Sequence, residues 1–188
     1  MKGVFNMKLL RHSIPMSAFF CAVLIPLSLR SQIIDSSAHG FTVRTTVIIA
    51  AAPEKVYQDL VKHVGQWWSS RHSYSGDARN FSIDDKAGGC FCEKLKNGGS
   101  VLHMTVAYAD PGRALRMIGG LGPLQALAVN GSLTWEMKKK GEATELDVTY
   151  AVGGYSPGGL GSMAIPVDNV LREQVMRFKR FIETGKPE

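Results

Sequence analysis

Apolar and polar positions alternate along most of this chain and switch to a helical period only twice. Residues 41–49 (FTVRTTVII) are rich in β-branched side chains and predict a first strand. Pro53 then suits a first helical position, with Glu54 in the first turn. Val56, Leu60, Val61 and Val64 recur at helical spacing until Gly65 ends the segment. Trp67-Trp68 and a polar loop, SSRHSYSGDARN, follow. From Phe81 onward the pattern predicts short strands at 81–83, 90–95, 101–108, 114–118, 131–138 and 144–152. Asn97-Gly98, Asp110-Pro111-Gly112 and Lys140-Gly141 punctuate them as turns. With no helix between these turns, the strands form an antiparallel meander. The second helical period opens at Pro166 and places Val167, Val170, Leu171, Val175, Phe178, Phe181 and Ile182 on one stripe, before Gly185 and Pro187 stop it.

A long helix with one wide apolar face has only one large sheet to bury it against. The expected fold is α+β, a helix-grip arrangement. A curved antiparallel sheet of six to seven strands wraps a long C-terminal helix, with short helices after the first strand and an apolar cavity between sheet and helix.

If Asn97-Gly98 is a two-residue loop, Phe91 pairs with Met104, Glu93 with Leu102, Cys92 with His103 and Cys90 with Thr105. Side chains alternate, so Phe91, Glu93, Leu102, Met104 and Val106 share the inner face. The last hairpin adds Leu133, Trp135, Met137, Leu146, Val148 and Tyr150 to that face. These residues either pack the last helix or line a cavity suited to flat apolar molecules. Glu93 stands out as a carboxylate among apolar neighbours. Burial there would raise its pKa and fit it as an acid, a base or a polar anchor, unless it pairs with Arg116. Cys90, Cys92 and His103 would gather on the convex face. With no fourth ligand, they predict no metal site. The Cys-x-Cys spacing also argues against a disulfide, since residues two apart on a regular strand are too distant.

The 188 residues suit one domain, and a hydrophobic fraction of 45% allows a real core. Half of the net charge of +6 falls before residue 39, where Lys2, Lys8, Arg11 and Arg30 face only Asp35. The rest gathers at Lys138, Lys139, Lys140 and the last helix, as a solvated surface would have it, so no nucleic acid is expected. The basic start and the uncharged run at 14–29 (IPMSAFFCAVLIPLSL) predict a signal peptide over 1–38, or alternatively an N-terminal anchor, with the domain at 39–188. The mature protein would then be exported, periplasmic or secreted, without a membrane association unless the leader stays attached. No cofactor is expected: the glycine-rich runs at 119–122 and 153–161 lack the Lys-Ser/Thr of a phosphate loop, which excludes ATP hydrolysis, and no His-Glu-x-x-His is present.

Ala52-Pro53-Glu54-Lys55-Val56-Tyr57, Trp67-Trp68 and Gly88-Gly89-Cys90-Phe91-Cys92-Glu93 occur in a recognisable order. So do the segment from Gly119 to Gln125, the segment from Val152 to Gly159, and Pro166-Val167-Asp168 with Gln174 and Arg177. In these segments, over roughly residues 42 to 184, the chain resembles the SRPBCC superfamily of START-like helix-grip proteins. It is most similar to the bacterial branch near polyketide cyclases and the C-terminal domain of the heat-shock ATPase activator. The resemblance implies a fold and a cavity, not one activity. The expected function is binding of a small apolar ligand, lipid-like or polyketide-like. Trp67, Trp68, Phe91, Glu93, Met104, Trp135, Tyr150 and Leu171 are the candidate ligand contacts. Two alternatives are a cyclase or dehydratase using Glu93 in the same cavity, and a co-chaperone-like protein-binding module, against which export argues.

Overall fold

The computed structural model describes residues 29–188; residues 1–28, which hold most of the expected leader, lie outside the described residues. Eight antiparallel strands form one sheet: β1 (Arg30–Ser36), β2 (Gly40–Ile49), β3 (Phe81–Ile83), β4 (Cys90–Lys94), β5 (Ser100–Asp110), β6 (Ala114–Ile118), β7 (Ala128–Lys140) and β8 (Ala143–Tyr155). Their spatial order is β1-β2-β8-β7-β6-β5-β4-β3. The expected α+β architecture is present with one strand more than anticipated. That strand, β1, lies inside the segment expected to be leader and pairs with β2 from Arg30 opposite Thr46 to Ser36 opposite Phe41.

The connection from β2 to β3 carries α1 (Pro53–Lys62) and the single turn α2 (Val64–Trp67). Pro53 begins α1 without a side-chain cap, and Glu54 occupies its first turn. α3 (Ala164–Thr184) is 21 residues, about 31 Å at helical rise, and ends on Gly185 in the left-handed conformation. Its apolar face lies across the sheet. Leu171, Val175 and Phe178 are fully buried, and the Phe178 ring lies 4.9 Å from Trp67 and 5.9 Å from Trp135. Polar groups fix the helix to the sheet as well. Lys179 donates to the Ile48 carbonyl at 2.8 Å and pairs with Glu183, which accepts from the Ala50 N–H at 3.0 Å.

The last hairpin has the expected register, with Leu133 opposite Tyr150, Trp135 opposite Val148 and Met137 opposite Leu146, all inward. The β4–β5 hairpin departs from a simple two-residue turn. Phe91 faces Met104 as expected, but Cys92 faces Leu102 and Glu93 faces Val101, so His103 is an extra residue in β5. A bulge of this kind turns one side chain to the opposite face. His103 is therefore inside and 3% exposed, whereas Leu102, expected inside, is 54% exposed. The expectation about the cysteines is corrected as well. The Cys90 and Cys92 Cα atoms, on the strand opposite that bulge, stand 5.4 Å apart, closer than two residues of a regular strand, and the two are joined by a disulfide. With His103 on the other face, the three soft ligands do not converge. A second bulge in β5, at Ala107 opposite β6, adds to the bend of the sheet.

Truncating Phe178 to alanine should cost about 3–5 kcal/mol by urea unfolding, because it opens a hole between helix and sheet. Ile165→Ala on the same helix, at a side chain 63% exposed, should change stability by less than about 0.5 kcal/mol.

Candidate functional site

Glu93 and His103, the residues most central to the site, meet because of the bulge, and the peptide groups of Tyr74 and Ser75 join them from the loop before β3. Glu93 points inward from β4 and is 1% exposed. A buried carboxylate needs donors in place of water. It accepts from the peptide N–H of Tyr74 at 3.1 Å and of Ser75 at 2.5 Å, and from His103 Nε2 at 2.9 Å. Burial alone would raise its pKa, as expected from sequence. The donors from Ser75, Tyr74 and His103 together outweigh burial and hold it below the ordinary carboxylate value. Glu93 is thus an anion at neutral pH, not a proton donor. Nor does it meet Arg116, which lies on the surface and donates to the Thr134 hydroxyl at 3.0 Å. Burial also lowers the His103 pKa, more than the neighbouring carboxylate raises it. The imidazole is therefore neutral at pH 7. It carries its proton on Nε2, which faces Glu93, and leaves a lone pair on Nδ1. Nδ1 has no hydrogen-bond partner among the described residues.

His103 is part of the wall of a cavity of about 430 Å³. Leu171, Val170, Val167 and Pro166 of α3 form one side, Leu121 to Leu124 form the roof, and Trp68, Ser73, Tyr74, Tyr150, Ser162 and Met163 add to the lining. The lining is mostly apolar, and Arg71 and His72 stand in the wall bound to Glu173 of α3 at 2.8 and 3.2 Å. Two tyrosines hold the roof. Tyr74 donates to the Gly122 carbonyl at 3.1 Å. Tyr150 donates to the Gly119 carbonyl at 2.8 Å and accepts from the Leu121 N–H at 2.9 Å. Burial pushes the Tyr150 phenol up to about 12, so the hydroxyl stays protonated and engaged with the loop. The segment after Trp67 is held from the helix side: Gln174 accepts from the Ser69 N–H at 2.9 Å, and Arg177 donates to the Trp67 carbonyl at 3.0 Å.

Of the residues singled out from sequence, Trp68, Tyr150 and Leu171 line the cavity. Trp67, Phe91, Met104 and Trp135 lie in the packed core around it. Glu93 is not part of the lining; it binds His103, which is. Trp68, Phe81 and Phe91 form a run of rings 5.3 to 5.6 Å apart, and this run reaches His103, 5.0 Å from Phe81. His103, Tyr74, Arg71 and His72 were not anticipated as site residues. Alternation placed His103 outside, and the other three belong to a loop whose path no periodicity describes. Trp67-Trp68 was the available signal, since two large aromatics directly before a polar loop anchor its start.

No protein-family model matches the chain, and no curated protein sequence does. Solved structures share the fold. A conserved protein of unknown function from Enterococcus faecalis superposes with a TM-score of 0.55 at 14% identity, over 83% of this chain and 78% of that one. CalU16 from Micromonospora echinospora gives 0.53 at 13% identity, over 86% and 87%. DynU16, from the dynemicin biosynthetic locus, gives 0.54 at 22% identity over 78% of this chain; the chain spans about half of its length, 48%.

Two measurements test this construction. The lowered carboxylate stabilises the fold above its ordinary value of 4.5, and this contribution is lost as pH falls through the folded value. The lowered imidazole takes up its proton more readily in the unfolded chain, so stability also declines as pH drops below its ordinary 6.5. Melting temperature should therefore fall from about pH 6.5 downward. His103→Gln, which can still donate to Glu93 but does not titrate, should flatten the curve between about pH 6.5 and 5. The second measurement concerns the roof. A Cβ on Gly131 would stand 2.4 Å from Tyr150 Cε2 and 2.8 Å from its hydroxyl. Gly131→Ala should cost about 1–3 kcal/mol by displacing the ring. Most of that cost should vanish in a Tyr150→Ala background, as a double-mutant cycle would show.

Proposed function

We propose that this protein binds a small, largely apolar molecule between its sheet and α3, as a carrier or sensor without catalysis. The cavity of about 430 Å³ behind α3 carries the proposal. Its size falls in the range of small-molecule sites, and its wall is apolar with a few polar groups, as such sites are. The shared fold with CalU16 and DynU16 supports placing the chain in the START-like SRPBCC superfamily. The link of one neighbour to a biosynthetic locus accords with a small organic ligand. Trp68, Tyr150 and Leu171 would supply apolar contact, with Trp67, Phe91, Met104 and Trp135 as the rigid layer behind them. The Cys90–Cys92 bridge supports export, because such bonds persist in oxidising compartments.

The buried Glu93–His103 pair favours keeping a second reading, an enzyme of cyclase or dehydratase type. In that reading His103, not Glu93, would face the substrate, and Glu93 would orient it. Glu93→Gln separates the two: a carrier keeps its ligand, whereas an enzyme loses turnover of its substrate.

Native mass spectrometry of the protein purified from its own host should show a reproducible added mass of a few hundred daltons, released by organic solvent. Val170→Trp, which fills the cavity from α3, should remove that mass while leaving the melting transition cooperative. A protein that is empty from its host and binds no aromatic probe would refute the cavity function.

A further inference from the structure

The Cys90–Cys92 bridge is poorly placed to stabilise the fold. A disulfide does so chiefly by closing a loop in the unfolded chain, and does more for longer loops. This one joins residues two apart and encloses only Phe91. Nor does β4 need it to stay in the sheet. The strand is paired on both sides, with Ser82 of β3 opposite Cys92 and Thr105 of β5 opposite Cys90, and Phe91 anchors it from within at 1% exposure. Both cysteines are half-buried on the outer face, where the residues paired beside them, Ser82, Leu102 and Thr105, are exposed. The bridge thus lies where a dissolved thiol can approach it without the core opening.

Its position also ties it to the cavity wall. The break in register between β4 and β5 falls at the Phe91–Cys92 step, inside the bridged span, and opposite it His103 turns inward. Phe91 lies 5.2 Å from the His103 ring and 5.4 Å from Trp68, both of which line the cavity. Glu93, directly after Cys92, holds His103 Nε2 at 2.9 Å. The bridged Cα atoms stand 5.4 Å apart, whereas two residues of a regular strand stand about 6.6–6.8 Å apart.

We propose that Cys90–Cys92 is a thiol–disulfide exchange site whose reagent is a dithiol, and that its redox state sets the position of His103 in the cavity wall. One thiolate of the dithiol attacks a bridge sulfur, the S–S bond breaks, and the other cysteine leaves as a thiolate that takes a proton. The second thiolate of the dithiol then displaces the first cysteine from the mixed disulfide. Two electrons and two protons have passed to the protein, and the dithiol is left as a disulfide. Without the bond the strand extends toward regular spacing, and the bulge that turns His103 inward loosens. The exchange takes place on the outer face and needs no ligand in the cavity, so it stands or falls apart from the binding function proposed above.

Dithiothreitol serves as the dithiol, on the full and unaltered protein. Alkylation, read by mass on the peptide that carries both cysteines, should show reduction within about a hundredfold of the rate in the urea-unfolded chain. A bond reached only through global unfolding would be slowed by roughly 10³-fold or more. The melting transition should stay cooperative after reduction, and oxidised glutathione should re-form the bond. The imidazole signals of His103 should move between the two states, while the methyl signals of Ile165, exposed on α3, hold their positions. Cys90→Ser combined with Cys92→Ser should put the His103 signals where reduction puts them, and dithiothreitol should then move them no further. Reduction slower than the hundredfold limit, loss of the cooperative transition on reduction, or failure of the bond to re-form would each overturn the exchange site. His103 signals that stay fixed on reduction would overturn the link to the cavity wall.

Discussion

A carboxylate stays charged in an apolar interior only if donors replace the water it has lost, and Glu93 imposes that constraint on this fold. Its three donors come from two places far apart in sequence: the peptide groups of Tyr74 and Ser75, and the ring of His103. Without the bulge in β5 the imidazole would face solvent on the convex side. Without the loop ending at Ser75 the carboxylate would be left two hydrogen bonds short. Hydrogen bonds to a charged group are worth about 1.5–3 kcal/mol each, and leaving one unmade costs at least as much. The position of one acidic side chain thereby settles the path of a loop and the register of a hairpin. It also places Arg71, His72 and Tyr74 around the cavity, since all three lie on that loop.

The same loop is gripped from the opposite side by the long helix. Gln174 and Arg177 bind the backbone of Ser69 and Trp67, while Phe178 packs beneath Trp67. The loop is thus held between sheet and helix by polar contacts at both ends and by aromatic packing at its start. The cavity exists because these three parties do not close fully. Near its N-terminal end α3 gives Pro166, Val167 and Val170 to the cavity wall, together with the roof residues Leu121 to Leu124. Farther along, Val175 and Phe178 are fully buried and the Phe178 ring meets Trp67 and Trp135, and there the interior is filled.

What the sequence disclosed follows from what periodicity can express. The stripe from Val167 to Ile182 and the alternation of Leu133, Trp135 and Met137 each report a face, and both faces lie where they point. Asn97-Gly98 located a hairpin correctly, but a turn dipeptide fixes only the residues next to it. Asn97 does adopt the left-handed conformation, with φ of 63°, yet the pairing slips by one residue at His103. An extra residue leaves no trace in composition, and the faces read for the residues beside it invert: Leu102 goes outward and His103 inward. Glu93 was identifiable as a misplaced charge. The sign of its pKa shift was not, because its donors are main-chain groups of a loop, and any residue has an N–H. Gly131 likewise carried no signal until Tyr150 lay across it.

β1 has a bearing on what removal of the N-terminal residues would do to the sheet. It covers one margin of the sheet, and Ser31 reaches α3 through Asp168 at 2.6 Å. A cut ahead of Arg30 would leave β2 flanked on both sides. A cut after Ala38 would instead bare the main-chain donors and acceptors of β2 along a strand of ten residues, inviting pairing with a second molecule. Were a peptidase to act here, the place of the cut would decide more than the length of the product: it would decide whether β2 stays covered or is open to self-assembly.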